Sequence, residues 1–270
     1  MIKKVIHMAD LHIRTYKMHE EYAEAFNSTI DEINRLVKGY ERDEVRIVIV
    51  GDYVHQKVTI SNELLMLGTW FLKQLDKIAP VVLIAGNHDL IEGNKDRLDS
   101  LSPMVNLIDS QSISYYKKSE CMLDDNIVWC VYSIFEDNDR PDIELARLEY
   151  GDDKTYIGLY HAPIVGSSTD IGYEFDEAQG LSHFEGCDIV MLGDIHKRQS
   201  FKYKGAPIVY PSSLIQQNFG ESINKHGFLF WDIEQRTFEE CDIETNFGFY
   251  QFKINSINDI ENNNEILTNK

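Results

Sequence analysis

The 270-residue chain lacks any apolar run of about 18 or more residues, the length that a membrane-spanning helix requires. It is also poor in cysteine, and its four cysteines show no CxxC spacing. Dispersed thiols are typical of a reducing compartment, so we expect a cytoplasmic protein without membrane association. The apolar N-terminal stretch is interrupted at His7, Asp10 and His12, which favours a first β-strand over a signal peptide.

Basic residues are scarce as well: 26 lysines and arginines stand against 45 aspartates and glutamates, and the net charge is −19. A protein this acidic repels nucleic acid at long range, because affinity for phosphates depends largely on lysine and arginine. Composition alone therefore gives no reason to expect a nucleic-acid substrate. Bound divalent cations would change the balance locally, since two of them add about four positive charges.

What the sequence does have is a series of apolar runs that end in Asp, His or Asn. Runs such as Val45–Val50, Val81–Ala85 and Ile189–Leu192 are typical of buried strands in an α/β sheet. In such sheets ligands bind beyond the carboxyl ends of the strands, so the polar motifs should share one edge. In chain order the motifs are Asp10-Leu11-His12, Gly51-Asp52, Gly86-Asn87-His88-Asp89, His161 and Gly193-Asp194-Ile195-His196.

The order of the predicted elements changes along the chain. Two amphipathic helices, at about 20–37 and 61–77, separate the first three strands, and this βαβαβ order favours parallel pairing. Beyond about residue 106, short runs separated by turn signals predict an antiparallel meander: 112–116, 120–123 and 127–133. We expect one domain over residues 1–250 and a loosely ordered tail over 251–270.

The residue types in the motifs indicate metal binding. Carboxylate oxygens and imidazole nitrogens without thiolates suit Mn²⁺, Fe or Zn²⁺, and Mg²⁺ suits the carboxylate-rich positions. An Asp-x-His at a strand end lets both side chains reach one ion, and Asp52 could bridge two ions with its two oxygens. Two ions roughly 3.5–4 Å apart activate water and polarise a phosphoryl group for in-line attack. Asn87 could bind through its amide oxygen, while His88 stays free for proton donation or charge stabilisation.

In this order the five motifs resemble those of calcineurin-like binuclear metallophosphoesterases. Finer features resemble the SbcD-type nucleases of double-strand-break repair and their phage and bacterial relatives, over about residues 1–250. These features are Gly51-Asp52-Tyr53-Val54-His55, Tyr210-Pro211-Ser212-Ser213, Asn218-Phe219-Gly220-Glu221 and Lys225-His226-Gly227-Phe228. The resemblance implies an α/β fold, a four-layer α/β/β/α sandwich with two mixed β-sheets. Residues 251–270 would then be the start of a truncated capping domain or the end of a naturally minimal form.

The resemblance also assigns site residues position by position. Two divalent cations are implied, most readily Mn²⁺, with Mg²⁺ as the alternative. The first would be held by Asp10, His12, Asp52 and His196, and the second by Asp52, Asn87, His161 and Asp194. His88 would stabilise the transition state or protonate the leaving oxygen, and His55 would position the scissile phosphate. The family usually has histidine where this chain has Asp194, and a shorter, harder oxygen ligand favours Mn²⁺ or Mg²⁺.

The activity that the resemblance implies is that of a metal-dependent DNA nuclease in repair or recombination. It would act as a 3′-5′ exonuclease on duplex DNA and as an endonuclease on single strands. A homodimer and an SbcC-like coiled-coil ATPase partner are also implied. The basic residues that follow the third and fifth motifs would contact DNA: Lys95, Arg97, Lys197 and Arg198.

Two alternative functions stay open. One is a phosphodiesterase or phosphatase acting on nucleotides or phosphoproteins, which the acidic charge favours. The other is a scaffold that keeps the metallophosphoesterase fold but has lost catalysis. The intact His88 and the ligand-type residues argue against the scaffold.

Overall fold

The computed structural model describes residues 1–136, 140–251 and 254–258. In this part of the chain the strands are β1 (Lys4–Met8), β2 (Val45–Val50), β3 (Val81–Ile84), β4 (Ile113–Tyr115), β5 (Cys121–Asp124), β6 (Ile127–Tyr132), β7 (Thr155–His161), β8 (Ile189–Gly193), β9 (Gln199–Tyr203), β10 (Ala206–Tyr210), β11 (Gly227–Asp232) and β12 (Thr237–Asp242). The α-helices are α1 (His19–Leu36), α2 (Asn62–Ile78), α3 (Leu101–Ile108) and α4 (Ile143–Tyr150), and 3₁₀ turns lie at Arg42–Glu44 and Leu181–Phe184.

The strands form two mixed sheets of six. The spatial order is β12-β11-β1-β2-β3-β4 in the first sheet and β5-β6-β7-β8-β10-β9 in the second. In the first sheet β1 to β4 pair in parallel, and β11 and β12 add antiparallel strands at one edge. In the second sheet β6, β7, β8 and β10 are parallel, and β5 and β9 are antiparallel edges. The carboxyl ends of the parallel strands of each sheet therefore lie at one edge.

The layers of the fold are defined by what packs against each face of the strands. Every residue of β2 is buried, because Ile47 and Ile49 pack in the core under helices α1 to α3 while Val48 and Val50 pack against the second sheet. A third cluster fills the space between the second sheet and α4. His7 also links the two sheets, since its Nε2 donates to the Leu192 carbonyl at 3.0 Å. The predicted four-layer α/β/β/α sandwich is confirmed.

The two long helices begin and end close to the predicted residues. Ser61 caps α2, because its hydroxyl accepts a hydrogen bond from the Leu64 amide at 3.1 Å.

The predicted meander is wrong. β4 pairs in parallel with β3 in the first sheet, whereas β5 and β6 form a hairpin that opens the second sheet. The chain thus changes sheets after Tyr115 instead of continuing in one ribbon.

Two further expectations concern the termini and membranes. Among the described residues, no helix is both long and apolar enough to cross a bilayer. The predicted cytoplasmic location stays a prediction. Much of the predicted 251–270 tail, namely 252–253 and 259–270, lies outside the described residues, so the domain boundary stays a prediction as well.

Candidate metal centre

The structure brings the seven predicted metal ligands together where the strands of both sheets end. Asp10 and His12 follow β1, Asp52 follows β2 and Asn87 follows β3. From the second sheet, His161 ends β7, while Asp194 and His196 follow β8. Neither sheet alone carries the full set, so the cluster depends on the packing of one sheet against the other.

The backbone turns sharply at four of these residues. Asp10, His12, Asp52 and Asp194 have φ of 55°, 49°, 53° and 90°, a left-handed region that non-glycine residues rarely adopt. Such strain persists only where the surroundings impose it, and it is concentrated at functional sites. Here hydrogen bonds between the turns hold them in place, from the Asp10 amide to the Gly51 carbonyl at 3.1 Å and from the His12 amide to the Asp52 carbonyl at 2.9 Å.

Glycines leave room for the His161 ring. A Cβ at Gly51, where φ is 78°, would collide with His161 Nδ1, and a Cβ at Gly193 would lie 2.6 Å from the same nitrogen. The close approach lets His161 Nδ1 donate to the Val50 carbonyl at 2.7 Å. That bond places the imidazole proton on Nδ1 and leaves the lone pair of Nε2 available to bind a metal, as in other metal-binding histidines.

The first predicted ligand group converges on a small volume. His12 Nε2 and His196 Nε2 are 3.0 Å apart, and His12 Nε2 lies 3.4 Å from Asp52 Oδ2. Asp10, His12 and His196 each offer a ligand atom within 4.8 Å of the others. Two nitrogens bound to one octahedral ion through bonds of about 2.1 Å at right angles lie about 3.0 Å apart, so this pair fits one ion.

The second predicted group surrounds His161 Nε2. Asp52 Oδ1 and Asn87 Oδ1 each lie 3.3 Å from that nitrogen, and Asp194 Oδ1 lies 3.8 Å from it. Asp194 is therefore near enough to share an ion with His161, although the family usually has histidine there. Since one Asp52 oxygen faces each group, Asp52 is positioned to bridge two ions. The oxygen and imidazole donors fit a hard or borderline divalent cation.

The electrostatics of the enclosure favour positive charge. Burial raises the pKa of Asp10 to about 7. Burial alone would lower the pKa of His196, but its hydrogen bond to Glu221 and the charge of Asp10 raise it to about 9. Burial also opposes the charged form of His161, yet the Asp52 carboxylate raises the pKa of His161 well above its ordinary value. Without a metal the cluster retains protons, and cations would displace them.

The two predicted catalytic histidines lie beside the first group. His88 donates from Nδ1 to the His55 carbonyl at 2.7 Å, and its backbone amide donates to Asp52 Oδ1 at 2.8 Å. The His88 ring centroid is 4.8 Å from that of His12. His55 Nδ1 is 3.3 Å from His12 Nδ1, and burial together with the charge of Arg14 lowers the pKa of His55 to about 4. His55 is therefore neutral at pH 7.

Two supporting carboxylates were not predicted from the sequence. Asp89 is fully buried and accepts hydrogen bonds from the amides of Gly86 and Val54 at 2.8 and 3.0 Å, which ties the loop after β2 to the loop after β3. Glu221 accepts from His196 Nδ1 at 2.7 Å. Both lie in motifs that the sequence displays, Gly-Asn-His-Asp and Asn-Phe-Gly-Glu, but their partners are distant along the chain.

The predicted DNA contacts differ in their surroundings. Arg97 is exposed and Lys95 is partly exposed. Lys197 Nζ donates to Ser168 Oγ at 3.0 Å. The Arg198 side chain is only 5% exposed and pairs with Asp242 and Glu240 at 2.6 and 3.1 Å. Because its side chain is nearly covered and already paired with two carboxylates, Arg198 is poorly placed to meet a phosphate.

A cavity of about 680 Å³ adjoins the second ligand group. Asn87, His161 and Asp194 are among its lining residues, together with Tyr132 and Tyr160. Glu92, Glu136 and Arg140 are also among its lining residues, so the walls carry more negative than positive charge.

Comparisons with known proteins agree with this geometry. The sequence model of the calcineurin-like phosphoesterase family matches residues 3–198. A curated relative, "Uncharacterized protein R555" of Acanthamoeba polyphaga mimivirus, is 38% identical over 259 residues. The match covers 94% of this chain and 19% of that relative, so the chain spans about a fifth of the relative's length.

Solved structures show weaker likeness. A hypothetical protein of Pyrococcus horikoshii is 13% identical with a TM-score of 0.48, covering 100% of this chain and 95% of its own. The phosphopantetheinyl hydrolase of Mycobacterium tuberculosis is 14% identical with a TM-score of 0.45, covering 77% and 88%. The NAD nucleotidase of Haemophilus influenzae is 12% identical with a TM-score of 0.46, covering 84% and 46%.

At TM-scores below 0.5 these three structures say nothing about the substrate. The family assignment depends instead on the sequence match, which covers well over half of the chain and contains all five polar motifs. The chain belongs to the calcineurin-like phosphoesterase family.

Proposed function

We propose that this phosphoesterase is a two-metal DNA nuclease of the SbcD type, with 3′-5′ exonuclease action on duplex DNA and endonuclease action on single strands. The observation that carries the proposal is the pair of adjacent donor groups that share Asp52, with His88 beside them. The SbcD-like segments between Tyr210, the last residue of β10, and Glu221 support the nuclease assignment because Glu221 contacts His196 directly.

The roles of the chain's own residues follow from their contacts. Two divalent cations would supply Lewis acidity and an activated water, as in other binuclear phosphoesterases. His88 is held through Nδ1 by the His55 carbonyl, so Nε2 is the atom that would exchange a proton with the leaving oxygen. His55, which is neutral at pH 7, would position the scissile phosphate by hydrogen bonding and not by charge.

We expect DNA as substrate, an SbcC-like coiled-coil ATPase as a partner, and a homodimer. DNA would meet Lys95, Arg97 and Lys197, whereas Arg198 is already paired with two acidic side chains of the chain itself and would have a structural role. Because the chain is strongly acidic, binding by this chain alone should be weak and should fall steeply with salt.

The proposal is tested by cleavage of end-labelled duplex and single-stranded DNA with Mn²⁺, Mg²⁺ or EDTA. We expect cleavage with Mn²⁺, none in EDTA, and none in Asp52→Ala, which should also bind fewer ions because Asp52 serves both groups. His19→Ala, a histidine substitution at the start of α1, is the matched control and should keep activity. Full activity of Asp52→Ala would refute the two-metal site, and failure of the native chain to bind Mn²⁺ would favour a non-catalytic scaffold.

A second candidate, a phosphodiesterase or phosphatase for nucleotides or phosphoproteins, is favoured by the acidic walls of the cavity beside the second group. Substituting Lys95, Arg97 and Lys197 together by glutamate distinguishes the two candidate functions. A DNA nuclease should lose DNA cleavage and keep hydrolysis of a small chromogenic phosphodiester, since the small ester needs only the metal cluster. If the native chain cleaves only the small ester, the second candidate is correct.

A further inference from the structure

Two cysteines face each other across the β5–β6 hairpin, away from the metal centre. Cys121 in β5 is the register partner of Cys130 in β6. The neighbouring pair, Glu120 and Val131, is hydrogen-bonded, with the Val131 amide donating to the Glu120 carbonyl at 2.9 Å. Because hydrogen-bonded and non-hydrogen-bonded pairs alternate along an antiparallel ladder, Cys121 and Cys130 form a non-hydrogen-bonded pair. Side chains approach most closely at such pairs.

The geometry allows a covalent bond between the two sulfurs. Opposed residues of a non-hydrogen-bonded pair have Cα atoms about 4.5 Å apart, within the range of about 4.4–6.8 Å that disulfides span. The two sulfur atoms are already 3.6 Å apart, and a disulfide bond requires about 2.0 Å. The remaining approach is within the reach of side-chain rotation, so the strands need not separate or slide.

The surroundings of the two thiols differ in a way that suits stepwise chemistry. Cys121 lies on the edge strand of the second sheet and is partly exposed, whereas Cys130 is buried. The hydrogen bond with the Cys130 thiol lowers the pKa of Cys121, and the same contact raises the pKa of Cys130. A partly exposed thiol with a lowered pKa next to a buried thiol is the arrangement of an attacking and a resolving cysteine.

We propose that Cys121 and Cys130 form a reversible cross-strand disulfide by exchange with a small-molecule disulfide such as oxidised glutathione. The Cys121 thiolate attacks one sulfur of the small disulfide, which releases one small thiolate and leaves a mixed disulfide on Cys121. Cys130 then loses its proton, and its sulfur displaces the second small thiolate from Cys121. Two protein thiols are oxidised to one disulfide, one small disulfide is reduced to two thiols, and the displaced protons end on those thiols or in solvent.

The consequence lies in the second sheet and not in the metal ligands. The bond would fasten the edge strand β5 to β6 two residues before Tyr132, which lines the cavity beside the second ligand group. Edge strands open more readily than central strands because one side of the ladder is unpaired. The oxidised protein should therefore show slower amide exchange in β5 and unchanged Mn²⁺ binding.

The test uses the full chain, titrated with mixtures of oxidised and reduced glutathione and digested with trypsin. Because trypsin does not cleave between Arg140 and Pro141, residues 119–147 form one tryptic peptide that contains both cysteines, whereas Cys187 falls in 155–197 and Cys241 in 237–253. We expect the 119–147 peptide to lose the mass of two hydrogen atoms, free thiols to fall from four to two, and reduced glutathione to restore both. A bond from Cys130 to Cys187, its other sulfur neighbour, would instead join two peptides and would overturn the proposal.

Single substitutions identify the order of attack. In Cys130→Ala the glutathione adduct should remain on Cys121, because the resolving thiol is absent. In Cys121→Ser the buried Cys130 should stay reduced, and Cys241→Ser, the matched control, should form the bond like the native chain. An adduct on Cys130 in the Cys121→Ser variant, or four free thiols throughout the titration of the native chain, would refute the proposed pair. Near-ultraviolet circular dichroism checks that each variant is folded.

Discussion

The sharpest test of the proposed metal centre is the substitution Glu221→Gln, because Glu221 contacts the predicted ligand His196 and is not itself a predicted ligand. The carboxylate is 6% exposed and sits behind His196. Its Oε1 accepts from His196 Nδ1 at 2.7 Å and from Asn218 Nδ2 at 2.6 Å. Its Oε2 accepts from the Gln217 amide at 2.8 Å and from the Ser213 hydroxyl at 3.3 Å.

The size of the effect follows from this count of donors. Glutamine has the shape of glutamate but replaces one acceptor oxygen by an NH₂ group. Whichever way the amide is turned, NH₂ must face either His196 and Asn218 or Gln217 and Ser213, so donors oppose donors. The charge that aligns His196 is lost as well. Removing such support costs about 10–100-fold in metal affinity, or about 1.4–2.8 kcal/mol, and we expect the upper part of that range.

The assay is calorimetric titration of Mn²⁺ at fixed pH, with cleavage of a small phosphodiester at graded Mn²⁺ as a second readout. We expect one ion to bind more weakly and the other, held around His161, to bind as before. Glu185→Gln is the matched control, since Glu185 is an exposed glutamate that forms a surface ion pair with Lys204. If both ions bound Glu221→Gln with native affinity, His196 would not depend on Glu221, and its assignment to the first ion would lose its support.

Three further outcomes are expected. His88→Ala should keep both ions and the fold but lose about 10²–10⁴-fold in rate, as measured by calorimetry and kcat, and loss of an ion would contradict its free role. Asp194→His should shift the preferred ion from Mn²⁺ toward Zn²⁺, whereas Asp194→Ala should weaken only the second ion; an unchanged metal profile for both would exclude Asp194 as a ligand. Burial lowers the pKa of His7 from 6.5 to about 3, so the unfolded chain takes up a proton below pH 6.5 that the folded chain refuses. The stability that neutral His7 contributes should therefore be fully present above pH 6.5. Below that pH the free energy of unfolding should fall by up to about 1.4 kcal/mol per pH unit toward pH 3. Urea unfolding of His7→Gln in EDTA should show a flatter dependence, and equal slopes would contradict this reasoning.

The fold was predictable from the sequence where local patterns and strand ends coincide. The apolar runs of β1, β2, β3, β7 and β8 are buried on both faces, and each leads directly into a polar motif, so hydrophobicity and chemistry mark the same boundaries. The short run at 112–116 is not followed by a polar motif of this kind. Its pattern is equally compatible with either sheet, and its place beside β3 depends on packing that no local pattern records.

The positions of the candidate ligands could be predicted from the sequence, but the contacts that surround and orient these ligands could not. Adjacency to His196 suggested that Arg198 would face the cleft, yet the chain turns and directs Arg198 to the Pro211 carbonyl and to β12. Glu221 is close to His196 only because a long loop returns to the strand end. By contrast, the Cys121–Cys130 register follows from the two-residue turn between Asp124 and Ile127, which the sequence displays.

The replacement of histidine by Asp194 also bears on how so acidic a chain could bind phosphate. The seven predicted ligands include three carboxylates, so two divalent cations would leave a local charge of about +1 instead of the +2 that a histidine would give. The additional carboxylate favours retention of hard cations, because oxygen ligands and negative charge both suit them. It also weakens the local attraction for a phosphodiester, within a protein whose net charge is −19. Substrate affinity must then depend more on groups outside the ligand set, and the exposed Arg97 and the partly exposed Arg14, Lys95 and Lys197 are among the cations near the motifs.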